Sequence, residues 1–399
     1  MIKVAIVGAG NIARLHIQGF LTFPKRCKIT HLVDIHPEKT EQTNTAHNLN
    51  AKMFGSHKDM LKDPSVDLVS ICTPPYTHAE IAIDCLKAGK HVIVEKPMAA
   101  SLEECDAMIR AAKKSGRVFS PVAQNRFRDP IKNLKAVLDS GHIGKVTHAQ
   151  IDSFWWRGHS YYDLWWRGTW EKEGGGCTLN HAVHHIDMLA WMLGRPSEVS
   201  AMISNAAHDN AEVEDIAVAV MRYGKNSNAD LCAKGALAQV TASVIHHGEE
   251  QQLVLQGEKA RVSAPWKVAA YIAKPNGFPE GRDEALEKKL TKFYESQPAL
   301  KYTIHTGQID NVLTAIETGA DYLIKGGDGR LTIELITAIY KAASGGRAVE
   351  LPISKKDPFY TVEGIMKAAP RFYKKKTSVK EAPGDITMGG DYGKRQGKS

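Results

Sequence analysis

The chain opens with "IKVAIVGAGNIARLHIQGF", and this stretch narrows its fold more than any other. Residues 2–7 are a short apolar run of the kind that forms a buried strand. Gly8, Gly10 and Ala13 follow as G-x-G-x-x-A, and the next residues carry helical spacing. A glycine at position 8 permits a tight turn, one at position 10 lets the backbone approach a pyrophosphate, and Ala13 allows close packing of helix on sheet. The free N–H groups at the start of that helix, around Asn11 and Ile12, favour negative charge. The strand "ITHLVD" comes next and ends on Asp34, where a carboxylate can bind a ribose 2′-hydroxyl. The same carboxylate would repel a 2′-phosphate, so NAD is expected over NADP, although His36 and Lys39 lie close by.

The alternation continues. "DLVSICT", "KHVIVEKP" and "VFSPVAQ" read as strands, with helical "THAEIAIDCLKAG" and "SLEECDAMIRAAKKSG" between them. Ser101 is placed as an N-cap, with Glu104 completing a capping box. Strands alternating with helices over about 120 residues imply a doubly wound parallel sheet. Ligands of such sheets bind beyond the carboxyl ends of the strands. Thr73-Pro74-Pro75 and Glu95-Lys96-Pro97 end two of them, so Lys96 faces the crevice unless it is an ordinary surface lysine.

Beyond about residue 145 the pattern changes. "VTHAQIDSFWW", "SEVSAMIS", "EDIAVAVMRY", "VTASVIHH" and "QQLVLQG" succeed one another with few helices between them, as in a mostly antiparallel sheet. Helices return near 284–296, 306–318 and 332–344. We therefore divide the chain into a Rossmann domain (1–123), a second α/β domain with a large open sheet (124–370) and a basic tail (371–399). The net charge is +8, and a net +4 of it lies between Lys374 and the C-terminus. That tail reads as a flexible segment or a partner-wrapping arm. The remaining mild excess suits an anionic cofactor better than nucleic acid. None of the six cysteines forms a CxxC, which fits a reduced, cytoplasmic setting. No apolar run approaches the ~20 residues that span a bilayer, and the N-terminus reads as a strand, not a signal peptide.

The stretch "EGGGCTLNHAVHHID" packs an asparagine, three histidines and an aspartate behind three glycines. Read as one helix over 177–193, it places Leu179, Ala182, Val183, Ile186, Leu189 and Leu193 on a core stripe. Asn180, His184 and Asp187 then share a neighbouring stripe that can line a cleft. His181 and His185 have the i, i+4 spacing of a zinc pair, but no HExxH glutamate accompanies them, and packing suits them better. Five of the seven tryptophans lie between 155 and 170, with Tyr161 and Tyr162. They either stack on a sugar ring or pack the loop or a subunit interface.

These elements together resemble the glucose–fructose oxidoreductase / inositol dehydrogenase / MocA (Gfo/Idh/MocA) family. The resemblance rests on "GAGNIA", "CTPPYTHAEIAIDCLKAGKHVIVEKPMA", "QNRF", "WRGTWEKEGGG", "HHIDMLAWMLG" and "RLTIELITAIYKAASGGRAVELP", which cover most of residues 1–353. It implies NAD(P)-dependent oxidoreduction of a sugar or cyclic polyol, commonly in homodimers or homotetramers, and with the residues above the expected reaction is NAD-dependent oxidation of a secondary hydroxyl of a sugar, glycoside or cyclic polyol. From the spacing and charge above, no metal, membrane or nucleic acid is expected. By position Lys96 matches the EKP lysine and His184 the catalytic histidine, with Asn180 standing where inositol dehydrogenases carry an aspartate and nucleotide-sugar relatives often carry "NQ". The cofactor is expected on Gly8, Gly10, Asn11, Ile12, Asp34, Thr73, Pro74, His78, Glu95, Lys96, Gln124, Trp166 and Arg167. The substrate is expected on Lys96, Arg126, Tyr161, Trp165, Asn180, His184 and Asp187. Within the class, a nucleotide-sugar 3-dehydrogenase and an inositol dehydrogenase are both open. An NAD-dependent glycoside hydrolase or lyase working by transient oxidation, and a noncatalytic NAD sensor, are the competing readings.

Overall fold

In the computed structural model, which describes residues 1–224 and 230–380, the first half of the chain forms one parallel sheet. Its strands are β1 (Ile2–Val7), β2 (Cys27–Val33), β3 (Lys52–Phe54), β4 (Leu68–Ile71), β5 (His91–Val94) and β6 (Phe119–Pro121), in the order β3-β2-β1-β4-β5-β6. Helices cover both faces, so the central strands are mostly apolar, and all four residues of β4 are buried. The order reverses between β1 and β4, which opens a crevice at the carboxyl ends of these two strands. The edge strand β3 is the element the sequence reading lacks: "KMF" is short and no residue of it is buried, so no apolar run marks it.

Ser101 caps the helix Leu102–Ser115 as anticipated, its hydroxyl accepting from Glu104 N at 3.2 Å. The return bond of the capping box lands one residue early: Glu104 Oε2 accepts from Ala100 N at 2.9 Å. The helix ends on Gly116 in the left-handed conformation.

The second sheet contains β7 (Val146–Phe154), β8 (Glu198–Ser204), β9 (Ile216–Arg222), β10 (Cys232–Ser243), β11 (Gln251–Gly257), β12 (Arg261–Ala264) and β13 (Lys267–Ala269). A hairpin of β14 (Tyr271–Ala273) and β15 (Pro279–Arg282) follows, and β16 (Val349–Glu350) closes the far edge of the sheet. The order β13-β12-β11-β7-β10-β9-β8-β16 is antiparallel at every pairing except β10 with β7. The fold is thus a Rossmann sheet followed by a mostly antiparallel open sheet. One strand sits earlier than the sequence suggests: β10 spans 232–243, not 240–247, because its first half is Ala- and Gly-rich and lacks β-branched residues.

The helix Gly326–Gly345 lies between the two sheets and packs against β8, the helix Val183–Leu193 and the helix Leu102–Ser115. The helix Ile304–Thr318 returns to the nucleotide half, where Ile309, Val312 and Leu313 join the core of Ile2, Val4, Ile17 and Phe20. All six cysteines are buried and free. Among the described residues no helix is long and apolar enough to cross a membrane. The tail divides: residues 371–380 lie against the body of the chain, whereas 381–399 are outside the described residues.

Candidate functional site

At the nucleotide turn, Gly8 has φ +93°, and a Cβ there would sit 2.7 Å from the Cys72 carbonyl oxygen. Only glycine satisfies both constraints. A Cβ on Gly10 would meet nothing within 4 Å, so the backbone is bare on the side a pyrophosphate would approach. Ala13 is buried and opens the helix Ala13–Leu21, with Asn11 exposed just ahead of it. Asp34 is fixed by two backbone donors, Ala9 N to Oδ2 at 2.8 Å and His36 N to Oδ1 at 2.9 Å. It is held at the mouth of the turn with lone pairs to spare for hydroxyl groups. Farther along the crevice, Gln124 Oε1 is buried without a partner. A bare glycine turn, an anchored carboxylate and an orphaned acceptor fit a dinucleotide with free ribose hydroxyls.

Two residues expected to meet the cofactor are engaged elsewhere. His78 is fully buried, with Nδ1 2.8 Å from the Pro97 carbonyl and Nε2 2.8 Å from the Thr73 carbonyl, so it ties two strand ends together. Glu95 is buried between His16 Nε2 at 2.8 Å and His305 Nε2 at 3.3 Å, and its other oxygen accepts from Lys96 N at 3.0 Å. Burial works against the Glu95 charge, but His16 and His305 hold its carboxyl well below the usual range. His16, despite its burial, is raised to about 10 by Cys72 and Glu95. The result is a buried imidazolium–carboxylate pair directly behind Lys96. Sequence reasoning missed His16 and His305. Nothing local marks them, because they reach Glu95 from the first helix and from a helix more than two hundred residues later. The ligand atoms of His16, Glu95 and His305 also lie within 4.8 Å of one another, and mutual hydrogen bonding accounts for that closeness.

Lys96 and His184 line one cavity, together with Asp187, Thr332, Met98 and Val122. Burial lowers the Lys96 pKa; Glu95 pulls it back up and Arg167 pushes it down. Burial, then Lys96 and His185, hold His184 well below its usual value, so its imidazole is neutral at physiological pH. Lys96 Nζ reaches the Asn180 carbonyl at 3.4 Å. Asn180 Nδ2 donates to the Gly175 and Gly176 carbonyls at 3.0 and 3.4 Å. Those acceptors fix the amide orientation and leave its oxygen free to accept from a hydroxyl.

The helix expected over 177–193 is two pieces, Cys177–Asn180 and Val183–Leu193, with a break at His181 and Ala182. The start of the first piece is held from outside the segment. Glu214, fully buried, accepts from Gly176 N at 3.0 Å, from Thr178 N at 2.9 Å and from Tyr340 Oη at 3.0 Å. It caps the first piece from another strand end and dictates its direction. A Cβ on Gly176 would stand 1.9 Å from the Glu214 carbonyl oxygen, which explains the last glycine of the triplet. Burial raises the Glu214 carboxyl to about 7 against its hydrogen bonds. His181 turns toward the aromatic segment, Nε2 3.3 Å from Tyr161 Oη, whereas His185 is fully buried and bonded to the backbone of His181. The two rings do not form a ligand pair.

The aromatic cluster separates by exposure. Trp155, Tyr162 and Trp170 are buried, and Trp170 packs edge-on against Tyr340. Trp156 and Trp165 are exposed. Between these groups, the Arg167 guanidinium lies 4.1 Å from the Tyr161 ring centroid and 4.2 Å from that of Trp166. Its Nη1 donates to Glu173 at 2.8 Å, and Glu173 also accepts from Gly168 N at 2.6 Å. Arg126 is only 2 % exposed; it grips Asp187 through two nitrogens at 2.9 and 2.8 Å and Asp328 through the third at 2.9 Å. Three of its five donors are therefore engaged inside the protein, and Asp187, which borders the cavity, is paired with it and accepts a further hydrogen bond from Thr332.

Residues 2–122 match the model described as the oxidoreductase family, NAD-binding Rossmann fold, and residues 131–263 match the GFO/IDH/MocA C-terminal domain. The chain is 27% identical to an uncharacterised oxidoreductase, YrbE, of Bacillus subtilis, over 77% of this chain and 89% of that one. It is 23% identical to the myo-inositol 2-dehydrogenase of Thermotoga maritima, over 88% and 98%. Among solved structures, the WlbA dehydrogenase of Bordetella pertussis in complex with NADH and UDP-GlcNAcA superposes with a TM-score of 0.74 at 27% identity, covering 88% of this chain and 99% of that one. With both halves matched in order and the nucleotide turn intact, the chain belongs to the Gfo/Idh/MocA family of NAD-binding oxidoreductases.

Proposed function

We propose that this protein oxidises a secondary hydroxyl of a sugar, glycoside or cyclic polyol. The single observation that carries this reading is the pairing of Lys96 with a neutral His184 in one largely apolar cavity beside the nucleotide crevice. Bound NAD supplies the hydride acceptor for such a reaction. The dinucleotide would lie along Gly8, Gly10 and Asp34, with Gln124 and the Arg167–Trp166 pair farther along the crevice. His184 takes the hydroxyl proton, which a neutral imidazole can do and an imidazolium cannot. The Lys96 ammonium stabilises the oxygen as negative charge develops on it. Asn180 Oδ1 accepts a hydrogen bond from a hydroxyl and orients the ring without exchanging a proton. Tyr161 and Trp165 offer aromatic surface to the apolar face of a sugar. A relative crystallised with NADH and UDP-GlcNAcA supports the sugar class.

The reading includes a homodimer or homotetramer in a reducing, cytoplasmic setting. Strand register puts exposed Met202, Val218, Val220 and Leu237 on one face of the second sheet, an apolar strip suited to a second copy. The test is a screen of free sugars, glycosides, nucleotide sugars and cyclitols, following reduced-nicotinamide absorbance with NAD and with NADP. Light scattering on the same preparation should give two or four chains. Turnover of at least one class with NAD is expected. Tight NADH binding with no turnover of any class would overturn the catalytic reading.

A further inference from the structure

From Pro370 onward the chain runs back along the aromatic segment. Trp170 Nε1 donates to the Pro370 carbonyl at 3.0 Å. Phe372 N and Tyr373 N donate to the carbonyls of Glu212 and Ala211 at 3.0 and 3.2 Å. Lys376 N and Thr377 N both donate to Asn210 Oδ1, at 2.6 and 3.0 Å. Val379 then exchanges both of its backbone groups: its N–H donates to the Asp163 carbonyl at 2.8 Å, and its carbonyl accepts from Trp165 N at 2.9 Å. In the middle of this run, Lys375 Nζ donates to the carbonyls of Tyr162 and Arg167.

We infer that Lys375 is a positioning residue of the nucleotide and substrate site. It holds the two carbonyls that flank the bend 163–166 and thereby fixes Trp165, Trp166 and Arg167, an inference that rests on the proposed role of that segment as a wall of the site. Between β7 and Cys177 the chain forms no strand and no helix beyond the short 3₁₀ turn His159–Asp163; local turns such as Arg167 N to the Leu164 carbonyl at 3.0 Å satisfy some backbone groups, and the others need partners from elsewhere. The arm supplies them at Tyr162, Asp163, Trp165 and Arg167. An ammonium has three donors and bonds carbonyls more strongly than a neutral group does. Two of its donors close the bend, and its charge faces Glu173 and Asp163. Lys375 thus holds Arg167 at its backbone carbonyl, while Glu173 holds the same residue at its guanidinium. A segment that merely decorated the surface would not place its one half-buried lysine among the described residues behind the stacked arginine.

Three variants of the full chain test this: Lys375→Met, which keeps the stem and removes the ammonium; Lys375→Arg, which keeps the charge; and a deletion of residues 371–399. Hydrogen exchange of the amides in 161–168 and NADH affinity, read by nicotinamide fluorescence, are the observables. Lys375→Met should speed exchange in 161–168 and weaken NADH binding, each by about tenfold, as expected for one charged hydrogen-bond donor. Lys375→Arg should recover most of both, and the deletion should exceed Lys375→Met at the same amides while leaving β1–β6 protected. Unchanged NADH affinity and exchange in the deletion variant would overturn the inference, as would faster exchange spread evenly through β1–β6. Neither observable needs turnover, so an absence of dehydrogenase activity would sink the proposed function and leave this result standing.

Discussion

At the nucleotide end of the cleft, Gly8, Gly10 and Asp34 come from one strand–turn–helix–strand unit within residues 2–36, and the Asp34 carboxylate is held by backbone N–H groups of that unit. At the substrate end, Lys96, Asn180, His184 and Arg167 come from three separate stretches, with supports from others around them: Glu95 with His16 and His305 behind Lys96, Glu214 with Tyr340 ahead of Asn180, and Glu173 and Lys375, each bonded to Arg167. A local unit keeps its geometry when distant residues change, because its bonds are satisfied internally. An assembled site passes on any loosening of its supports. The electrostatics differ in the same sense. At the substrate end burial is the first cause that depresses both Lys96 and His184, and Lys96 adds to the depression of His184.

The largest expected break in this comparison is His184→Ala. Removing a general base typically costs about 10²–10⁴ in rate. NADH affinity should stay within about threefold of the parent, since that substitution leaves the glycine turn and Asp34 untouched. The pH profile of the parent follows from the same groups. His184 is depressed below its ordinary 6.5, so the acid limb of alcohol oxidation should lie below pH 6.5, with activity rising as His184 loses its proton. Lys96 is depressed below 10.5, so the alkaline limb should lie below pH 10.5, with activity falling as the ammonium is lost. A His184→Ala enzyme that turns over at the parental rate would remove His184 from the chemistry and leave only the nucleotide end assigned.

Asp34→Ala probes the local unit with a smaller effect. It removes the negative charge that opposes a 2′-phosphate and also the acceptors for Ala9 N and His36 N. NAD affinity should fall about tenfold, roughly 1.4 kcal/mol, and the preference for NAD over NADP should narrow by about the same factor. Titrating both reduced cofactors checks this. A parent that already prefers NADP, or a variant that discriminates as before, would show that Asp34 does not meet the ribose.

This division also decides what could be read from the sequence. The parallel sheet, the nucleotide turn and the cap at Ser101 rest on short-range patterns: apolar runs, glycine spacing and a serine ahead of a helix. Lys96 and His184 were legible through the family motifs, not through any spacing that required them to meet. What escaped were supports supplied at long range. Nothing in "CTLNHAVHHID" announces a break at His181, and the group that caps the piece before it is Glu214, just ahead of β9. A linear reading of Arg126 and Asp187 also gives no sign that the fold pairs them with each other. The tryptophan cluster likewise could not be assigned as a whole, since burial differs from one ring to the next. The tail was read as flexible or partner-bound, and its described part binds the chain's own aromatic segment.

Asn180→Asp sharpens the comparison where the two ends touch, with the smallest kinetic effect of the set. In the parent, Nδ2 donates to the carbonyls of Gly175 and Gly176. A carboxylate oxygen in that place would face two acceptors with no proton between them, which loses two hydrogen bonds and adds repulsion. The cost should be about 1–3 kcal/mol of stability, seen as a drop of several degrees in Tm. The new charge can escape by rotating toward Lys96, whose Nζ already lies 3.4 Å from the backbone carbonyl of the same residue. An adjacent carboxylate favours the charged ammonium, so the Lys96 pKa rises and the alkaline limb of the rate profile moves to higher pH. The acid limb should move little, because the neutral state of His184 is set first by burial. Turnover near neutral pH should remain within about tenfold of the parent, as the substitution touches neither the base nor the nucleotide turn. An alkaline limb that stays fixed, with Tm unchanged, would mean that the side chain at 180 meets neither the glycine carbonyls nor Lys96, and the assembled end of the cleft would have to be redrawn around a different third residue.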